Sequence, residues 1–459
     1  MKKTVCELFA GVGGFRCGLN HIKTLQDFEK PEKWETVWFN QWEPLEKKTQ
    51  YAHDCYVYRF GTATDINGDD TTNIDIEQVN KAAIPDFNLL VGGFPCQDYS
   101  VASSLATSKG LEGKKGILWW SIRDTLEAKQ PPFVLLENVD RLLKSPARQR
   151  GRDFGVILAC FRDQGYTVEW RVINAADYGY QQRRRRVFIF AYRDETTYHA
   201  TIKGKLHQHT DEDGGAIEKL LSESGFFAST FPVVKNVKER ASSIELPKEI
   251  GHLSDTFSFR FENSGIMKDG IVYTLKTTPL YNGPKMTLGD ILETGSVDES
   301  YFIPEERLYY TDPTITKSDE TSERLSKEAR QTWQYLKGGK KLTRTAANGH
   351  EYVFSEGSIP MLDSYAKPAR TMLTSEGNFS RTTHIIKDKH SGRIRLLTAT
   401  ETERIQGFPT DHTRYCLVNG EVIEMPEKKR RFMMGNALVV NLVEDMERTL
   451  SDIFDNEAL

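Results

Sequence analysis

Six short apolar runs, separated by segments of helical periodicity, occupy the first 195 residues and leave few architectures open to this chain. The runs lie at 4–9, 35–42, 87–93, 133–138, 167–175 and 186–192, and the helical segments at 14–25, 45–60, 116–129 and 154–164. Parallel strands cannot be joined by a tight turn; they need a crossover, usually a helix. The alternation therefore predicts an α/β fold on a doubly wound, mostly parallel sheet. From about 196 to 365 it stops: Asp, Gly, Ser and Thr become frequent and apolar runs shorten, as in a separate, smaller, irregular domain. After 366 the stretch "RIRLLTATETERIQGFP" (393–409) restores a helix beginning near Thr398, where Thr398 and Glu401 form a capping box. The stretch "FMMGNALVVNLVEDMERTL" (432–450) supplies a final amphipathic helix. The expected division is 1–195, 196–365 and 366–459, the last segment returning to the first domain.

With 459 residues, 38% hydrophobic and 27% charged, the chain has the composition of an ordinary soluble protein too long for one small core. No apolar run approaches the roughly 18–20 residues that cross a bilayer. Glu7 interrupts the one near the start, so a cytoplasmic protein is expected. Cys6, Cys17, Cys55, Cys96, Cys160 and Cys416 lie far apart with no C-x-x-C pair, which argues against a metal site or a disulfide framework. A special cysteine here should be special for its reactivity. The net charge of −4 does not announce a nucleic-acid binder. Positive charge is nonetheless concentrated in "RLLKSPARQRGR" (141–152), "QQRRRRV" (181–187), "KGGKKLTR" (337–344) and "EKKRR" (427–431). Each reads as solvated surface, and together they would also suit a cleft holding a phosphate backbone.

Several motifs sit at predicted strand ends. In "ELFAGVGGF" (7–15), Gly11 and Gly13 fall at a strand-to-helix turn, either a cofactor loop or simply a tight turn. In "NQWEP" (40–44), Gln41 or Glu43 could accept a ribose hydroxyl and Trp42 could cover an adenine face; a core tryptophan is the plain alternative. Asp75, in "IDIEQV" (74–79), lies near the third strand's approach to the same edge. In "LLVGGFPCQDYSVASSL" (89–105), a stiff Gly-Gly-Phe-Pro segment presents Cys96 before a small-residue loop. A thiolate there would be nucleophilic; an inert buried thiol is the alternative. Glu137 ends the run "FVLLEN" as a proton donor or as a helix cap. Arg184 and Arg186 share a face by period-2 spacing, ready to stabilise an anion, a carbonyl oxygen or Glu137. Four consecutive arginines entering a buried strand are unfavourable unless some are paired.

In this order, "ELFAGVGGFR", "NQWEP", "GGFPCQDYS", "LLENV", "QQRRRRV", "RLLTATETERIQGFP" and "MGNALV" resemble the motif blocks of the DNA cytosine-5 methyltransferases. The resemblance covers about 4–193 and 366–445. It implies a Rossmann-like methyltransferase fold that binds S-adenosyl-L-methionine, with 196–365 as a β-containing target-recognition domain. It implies that Phe9 stacks on adenine and that the turn at Gly11 and Gly13 lets the methionine part approach. Gln41, Trp42 and Glu43 would serve ribose and adenine, and Asp75 and Ile76 the adenine edge. Pro95, Leu118, Asn436 and Ala437 would close the pocket. Cys96 would attack C6 of a flipped-out cytosine, Glu137 would protonate N3, and Arg184 and Arg186 would stabilise the charge that develops. Gln97, Ser100, Asn138, Gln182 and Thr371 would meet the DNA, with Asn138 also ordering the loop.

This sequence departs from the usual pattern at Gln41, where Glu is common, which leaves the ribose contact open between Gln41 and Glu43. Milder departures are Glu7 for Asp, Gln181 for Pro and Ala437 for Ser. The implied protein is a monomer that modifies double-stranded DNA as the modification enzyme of a restriction-modification system, with a separate cognate endonuclease. The alternatives are a tRNA cytosine-5 methyltransferase, against which the long recognition segment argues, and a retired DNA-binding regulator, against which intact Cys96, Glu137, Arg184 and Arg186 argue. A dehydrogenase would need G-x-G-x-x-G in the first turn, which is absent.

Overall fold

The computed structural model describes residues 1–44, 49–94, 118–146, 148–207, 215–234, 241–249, 253, 257–310, 328–346 and 349–458. Its strands are β1 (Thr4–Leu8), β2 (Glu35–Asn40), β3 (Leu89–Gly93), β4 (Phe133–Val139), β5 (Tyr166–Asn174) and β6 (Arg185–Arg193). After these come the two-residue β7 (Val233–Val234), then β8 (Ser242–Glu245), β9 (Ser264–Lys268) and β10 (Ile271–Leu275). All but β7 join one nine-stranded sheet in the order β2-β1-β3-β4-β6-β5-β9-β10-β8. The central strands are buried on both faces, so they read as unbroken apolar runs. Val5, Leu89, Val91, Phe133 and Leu135 face helices Gly14–Leu19 and Val440–Asn456. Cys6, Leu8, Leu90, Val134 and Leu136 face helices Trp119–Lys129 and Arg152–Asp163.

The sheet is mixed, which corrects the expectation of a mostly parallel one. β2, β1, β3 and β4 pair in parallel, and every pairing beyond β4 is antiparallel. The reason lies in the connections. Between the end of β5 and the start of β6 stands only the short turn Ala175–Tyr178 and an extended stretch. Without a crossover helix β6 must come back antiparallel, and it inserts between β4 and β5. β9 and β10 are joined by Asp269-Gly270, both at positive φ (53° and 80°), the two-residue turn whose twist matches a hairpin. This hairpin, with β8, extends the sheet beyond β5.

The C-terminal segment closes on the first strands. The capping box forms, with Glu401 N donating to Thr398 Oγ1 at 3.1 Å and Thr398 N to Glu401 Oε2 at 2.9 Å. Trp34 Nε1 donates to Glu447 Oε1 at 2.8 Å, and the Met1 amino group to the Phe454 carbonyl at 2.9 Å. Cys6, Cys17, Cys55, Cys160 and Cys416 are buried free thiols. Among the described residues no helix is long and apolar enough to cross a membrane, and no group of His, Cys, Asp or Glu is placed to hold a metal ion.

Gly265 marks how tightly β9 is fitted to the rest, since a β-carbon there would overlap the Trp170 ring and the Tyr273 carbonyl. Gly265→Val is expected to cost about 1–3 kcal/mol, the range for overpacking a tight site. Urea unfolding followed by tryptophan fluorescence would show the midpoint lowered with one transition retained.

Candidate active site

The carboxyl ends of β1 to β4 form one edge, where ligands bind in open α/β sheets. After β1 the backbone passes repeatedly through the left-handed region, at Phe9 (φ 55°), Gly11 (φ 57°) and Gly13 (φ 85°). Phe9 is not glycine, so its conformation is strained and is held by its surroundings. A β-carbon on Gly11 would meet none of the described residues within 4 Å, so what Gly11 supplies is the positive φ and room for close approach to the turn. Gln41 braces that turn, its Oε1 accepting from Gly11 N at 2.8 Å. Asn40 Nδ2 donates to the carbonyls of Thr72 (3.3 Å) and Ile74 (3.0 Å), tying the end of β2 to the next loop.

Around this space, half-buried Phe9 and Leu118 pack against the apolar cluster that contains Ile76, Phe94 and Trp119. Asp75 Oδ1 accepts from Glu77 N at 3.1 Å and so caps the short turn Ile76–Gln78. Trp42 is exposed at the rim, and Glu43 is held by its backbone to the Gln50 amide at 2.8 and 2.9 Å. Beneath the turn Glu7 is buried and accepts from the Tyr56 hydroxyl at 2.9 Å. Burial pushes its carboxyl up to about 7, against the opposing pull of Tyr56 and Arg16.

At the ends of β3 and β4, Glu137 forms an ion pair with Arg186 (Oε1 to Nε 2.8 Å), both side chains largely buried. A β-carbon on Gly93 would lie 3.3 Å from Glu137 Oε2, so the carboxylate sits beside the exit of β3. Asn138 is buried and its Nδ2 donates to the Phe94 carbonyl at 3.0 Å, fastening that exit. Pro95, Cys96, Gln97 and Ser100 follow directly and lie outside the described residues.

The arginine run alternates as its spacing predicts: Arg183 and Arg185 are exposed, Arg184 is buried and Arg186 half-buried. The structure separates the two inward ones. Arg186 meets Glu137, whereas Arg184 donates to the carbonyls of Met372 (3.0 Å), Gly435 (3.1 Å) and Asn436 (3.4 Å). Burial, then the nearby Arg186, pushes the Arg184 guanidinium down to about 9, with Glu137 opposing, so it stays charged at neutral pH. Exposed Asn436 and half-buried Ala437, at the end of helix Glu427–Asn436, are thereby tied to the start of β6. Gln182 is fully buried and its amide is spent on Ile405 and Met372, so in this structure it faces the protein interior. The Thr371 hydroxyl donates to the Arg183 carbonyl.

Beside the Glu137–Arg186 pair opens a cleft of about 640 Å³, whose lining includes Asp140, Arg141, Arg183, Arg185, Arg186 and Thr371. Sequence reasoning gave Arg141, Arg183 and Arg185 only as members of basic runs, surface charge singly and a cleft for a phosphate backbone together, and it did not single out Asn40 or Tyr56. The strict in-out alternation of the arginines was the one signal available for Arg183 and Arg185.

The family profile of C-5 cytosine-specific DNA methylases matches residues 3–452. The type II methyltransferase M.Sau3AI of Staphylococcus aureus is 43% identical over 443 residues, covering 96% of this chain and 94% of its own. The type II methyltransferase M.HhaI of Haemophilus parahaemolyticus is 31% identical over 189 residues, 41% of this chain and 49% of its own. Among solved structures, the S. pombe Dnmt2 methyltransferase matches with a TM-score of 0.51 over 98% of each chain at 13% identity, a likeness of fold. Match and identity run through the strand-end segments just described, and the chain accordingly belongs to the C-5 cytosine-specific DNA methylases, as a DNA (cytosine-5)-methyltransferase.

Proposed function

We propose that this edge methylates C5 of a cytosine flipped out of double-stranded DNA, with Cys96 as nucleophile and Glu137 as the proton donor. The observation that carries this is the Arg186–Glu137 ion pair at 2.8 Å beside the Gly93 exit, three residues before Cys96 in the chain. C5 of cytosine is a poor nucleophile until C6 is attacked. Addition of the Cys96 thiolate to C6 pushes electrons toward C5 and N3, and a proton from Glu137 to N3 offsets the charge. Arg186 holds the Glu137 carboxylate in place. Arg184 adds fixed positive charge behind it without a direct bond to Glu137, which makes it a positioning group. Once C5 has formed its bond to the methyl group, loss of the C5 proton, expulsion of Cys96 and return of the N3 proton to Glu137 restore the aromatic ring.

The turn at Gly11 fits S-adenosyl-L-methionine: room for close approach at a positive-φ glycine, with Phe9, Ile76 and Leu118 along one apolar wall. When bound there, that cofactor supplies the electrophilic methyl group. Phe9 and Ile76 would flank the adenine, Asp75 its amino edge, and Trp42 with Glu43 the ribose at the rim. Gln41 would shape the turn through its Oε1, which accepts from Gly11 N, and would keep its Nε2 donor for the ribose. Gly13, Pro95, Leu118, Asn436 and Ala437 would complete the enclosure. Gln97, Ser100 and Thr371 would meet the DNA, while Asn138 and Gln182 would hold the surrounding backbone from inside. Segment 196–365 would carry target recognition, in part on the strands it lends to the sheet. By likeness to M.Sau3AI, named a type II methyltransferase, the chain would protect its host's DNA against a separate endonuclease.

Bisulfite sequencing of plasmid DNA from expressing cells should reveal 5-methylcytosine confined to one sequence context; a plasmid without it would reject the reading. Cys96→Ser should abolish methyl transfer while duplex binding stays measurable, and should fail to form the covalent complex that wild type forms with a 5-fluorocytosine duplex and cofactor. Unchanged activity in that variant would sink the covalent mechanism. Glu137→Gln should lower kcat by about 10²–10⁴, the usual worth of a positioned general acid. Single-turnover kinetics would check this, with thermal melting to confirm that the variant is folded.

A further inference from the structure

We propose that Arg183 and Arg185 form a phosphate clamp on the DNA strand that carries the target cytosine, with Asp140 as the counter-charge that keeps the clamp reversible. The proposal rests on the function proposed above and names the group bound in the cleft beside Glu137. Arg184 and Arg186 have protein partners in carbonyls and a carboxylate. The alternation that buries them turns Arg183 and Arg185 outward into the same cleft. Arg183 has no carboxylate within ion-pair distance among the described residues, and Arg185 has only a loose contact to Asp140 Oδ2 at 3.4 Å.

The backbone under Arg183 is fixed from two sides, its N–H donating to the Ala369 carbonyl at 2.8 Å and its carbonyl accepting from the Thr371 hydroxyl. An exposed arginine on fixed backbone is a guanidinium presented at a set place, with less to order on binding than a free loop would need. Guanidinium forks match phosphate oxygens in geometry as well as charge. Gathering Arg141, Arg183, Arg185 and Arg186 round one cleft is self-repulsive, and a polyanion relieves that repulsion. A cytosine that reaches Glu137 and Arg186 through this cleft brings its own phosphates to the rim where Arg183 and Arg185 stand.

The test is fluorescence anisotropy of the full-length protein on a labelled 30-base-pair duplex across a series of salt concentrations. Arg183→Gln and Arg185→Gln should each weaken binding uniformly across sequences and lower the slope of log K against log salt by about 1. Each should raise the KM for DNA while leaving kcat and the KM for S-adenosyl-L-methionine near wild type. Asp140→Asn should act oppositely and tighten DNA binding, which a residue holding only the fold would not do. Arg448→Gln, exposed outside the cleft, should change nothing. Wild-type slope and affinity in both arginine variants would overturn the clamp, even with methylation intact. A lowered slope in a protein that leaves plasmid DNA unmethylated would instead retain the clamp and reject the proposed function.

Discussion

The Arg184 guanidinium is the contact on which the rest of the site depends. It is buried with no carboxylate partner among the described residues, and its two terminal nitrogens donate to carbonyls from two segments distant in the sequence, while its Nε meets no acceptor among them. Two of them, Gly435 and Asn436, end a helix, where backbone acceptors lack intrahelical partners and the helix dipole is negative. One cation thus answers the unmet acceptors of the C-terminal segment and places that segment against the start of β6. The same bonds hold the chain from which Arg186 reaches Glu137. The docking of the C-terminal segment and the geometry of the site consequently share a single side chain.

Buried charge recurs as the means by which the C-terminal segment is held. Arg395 lies between Asp388 (2.8 Å) and both oxygens of Glu401 (2.8 Å each), and Glu401 also caps its helix through Thr398. Arg430 meets Glu403 at 3.0 Å and Asp411 at 3.1 Å. Pairs of this kind add little over an apolar filling of equal volume, but leaving one partner alone is strongly unfavourable. They therefore discriminate against misdocked arrangements of this segment more than they raise its stability. The apolar contacts of helix Val440–Asn456 with helix Gly14–Leu19 supply the burial itself.

What could be read from the sequence follows from which physical signal each feature leaves. Strands buried on both faces, such as Leu89–Gly93 and Phe133–Val139, declare themselves as apolar runs. Strand direction shows only in the connections: the alternation taken as a whole suggests a mostly parallel sheet, and the one missing crossover helix, between β5 and β6, is what reverses β6. The β9–β10 hairpin did leave one, Asp269-Gly270 between apolar stretches, but composition averaged over 196–365 concealed it. In the site, the alternation of the arginines was legible because it is local. The brace from Gln41 to Gly11 and the inward engagement of Gln182 were not, because polarity in a sequence does not say which way a side chain turns.

The reversed strand has a geometric consequence for the pair at the centre of the site. Residues reach this edge by leaving strands that point toward it or by entering strands that point away. Glu137 comes from an outgoing strand and Arg186 from an incoming one, with Val139 opposite Arg186 and Glu137 opposite Phe188 in the ladder. A parallel β6 would have carried the arginine run to the far edge of the sheet. Their separation is also set in discrete steps: sliding β6 by one residue would turn Arg186 to the other face, and restoring its face would take a second step, about 6.6 Å in all. The acid and its cation are thus registered by the backbone hydrogen-bond ladder, which has no intermediate settings.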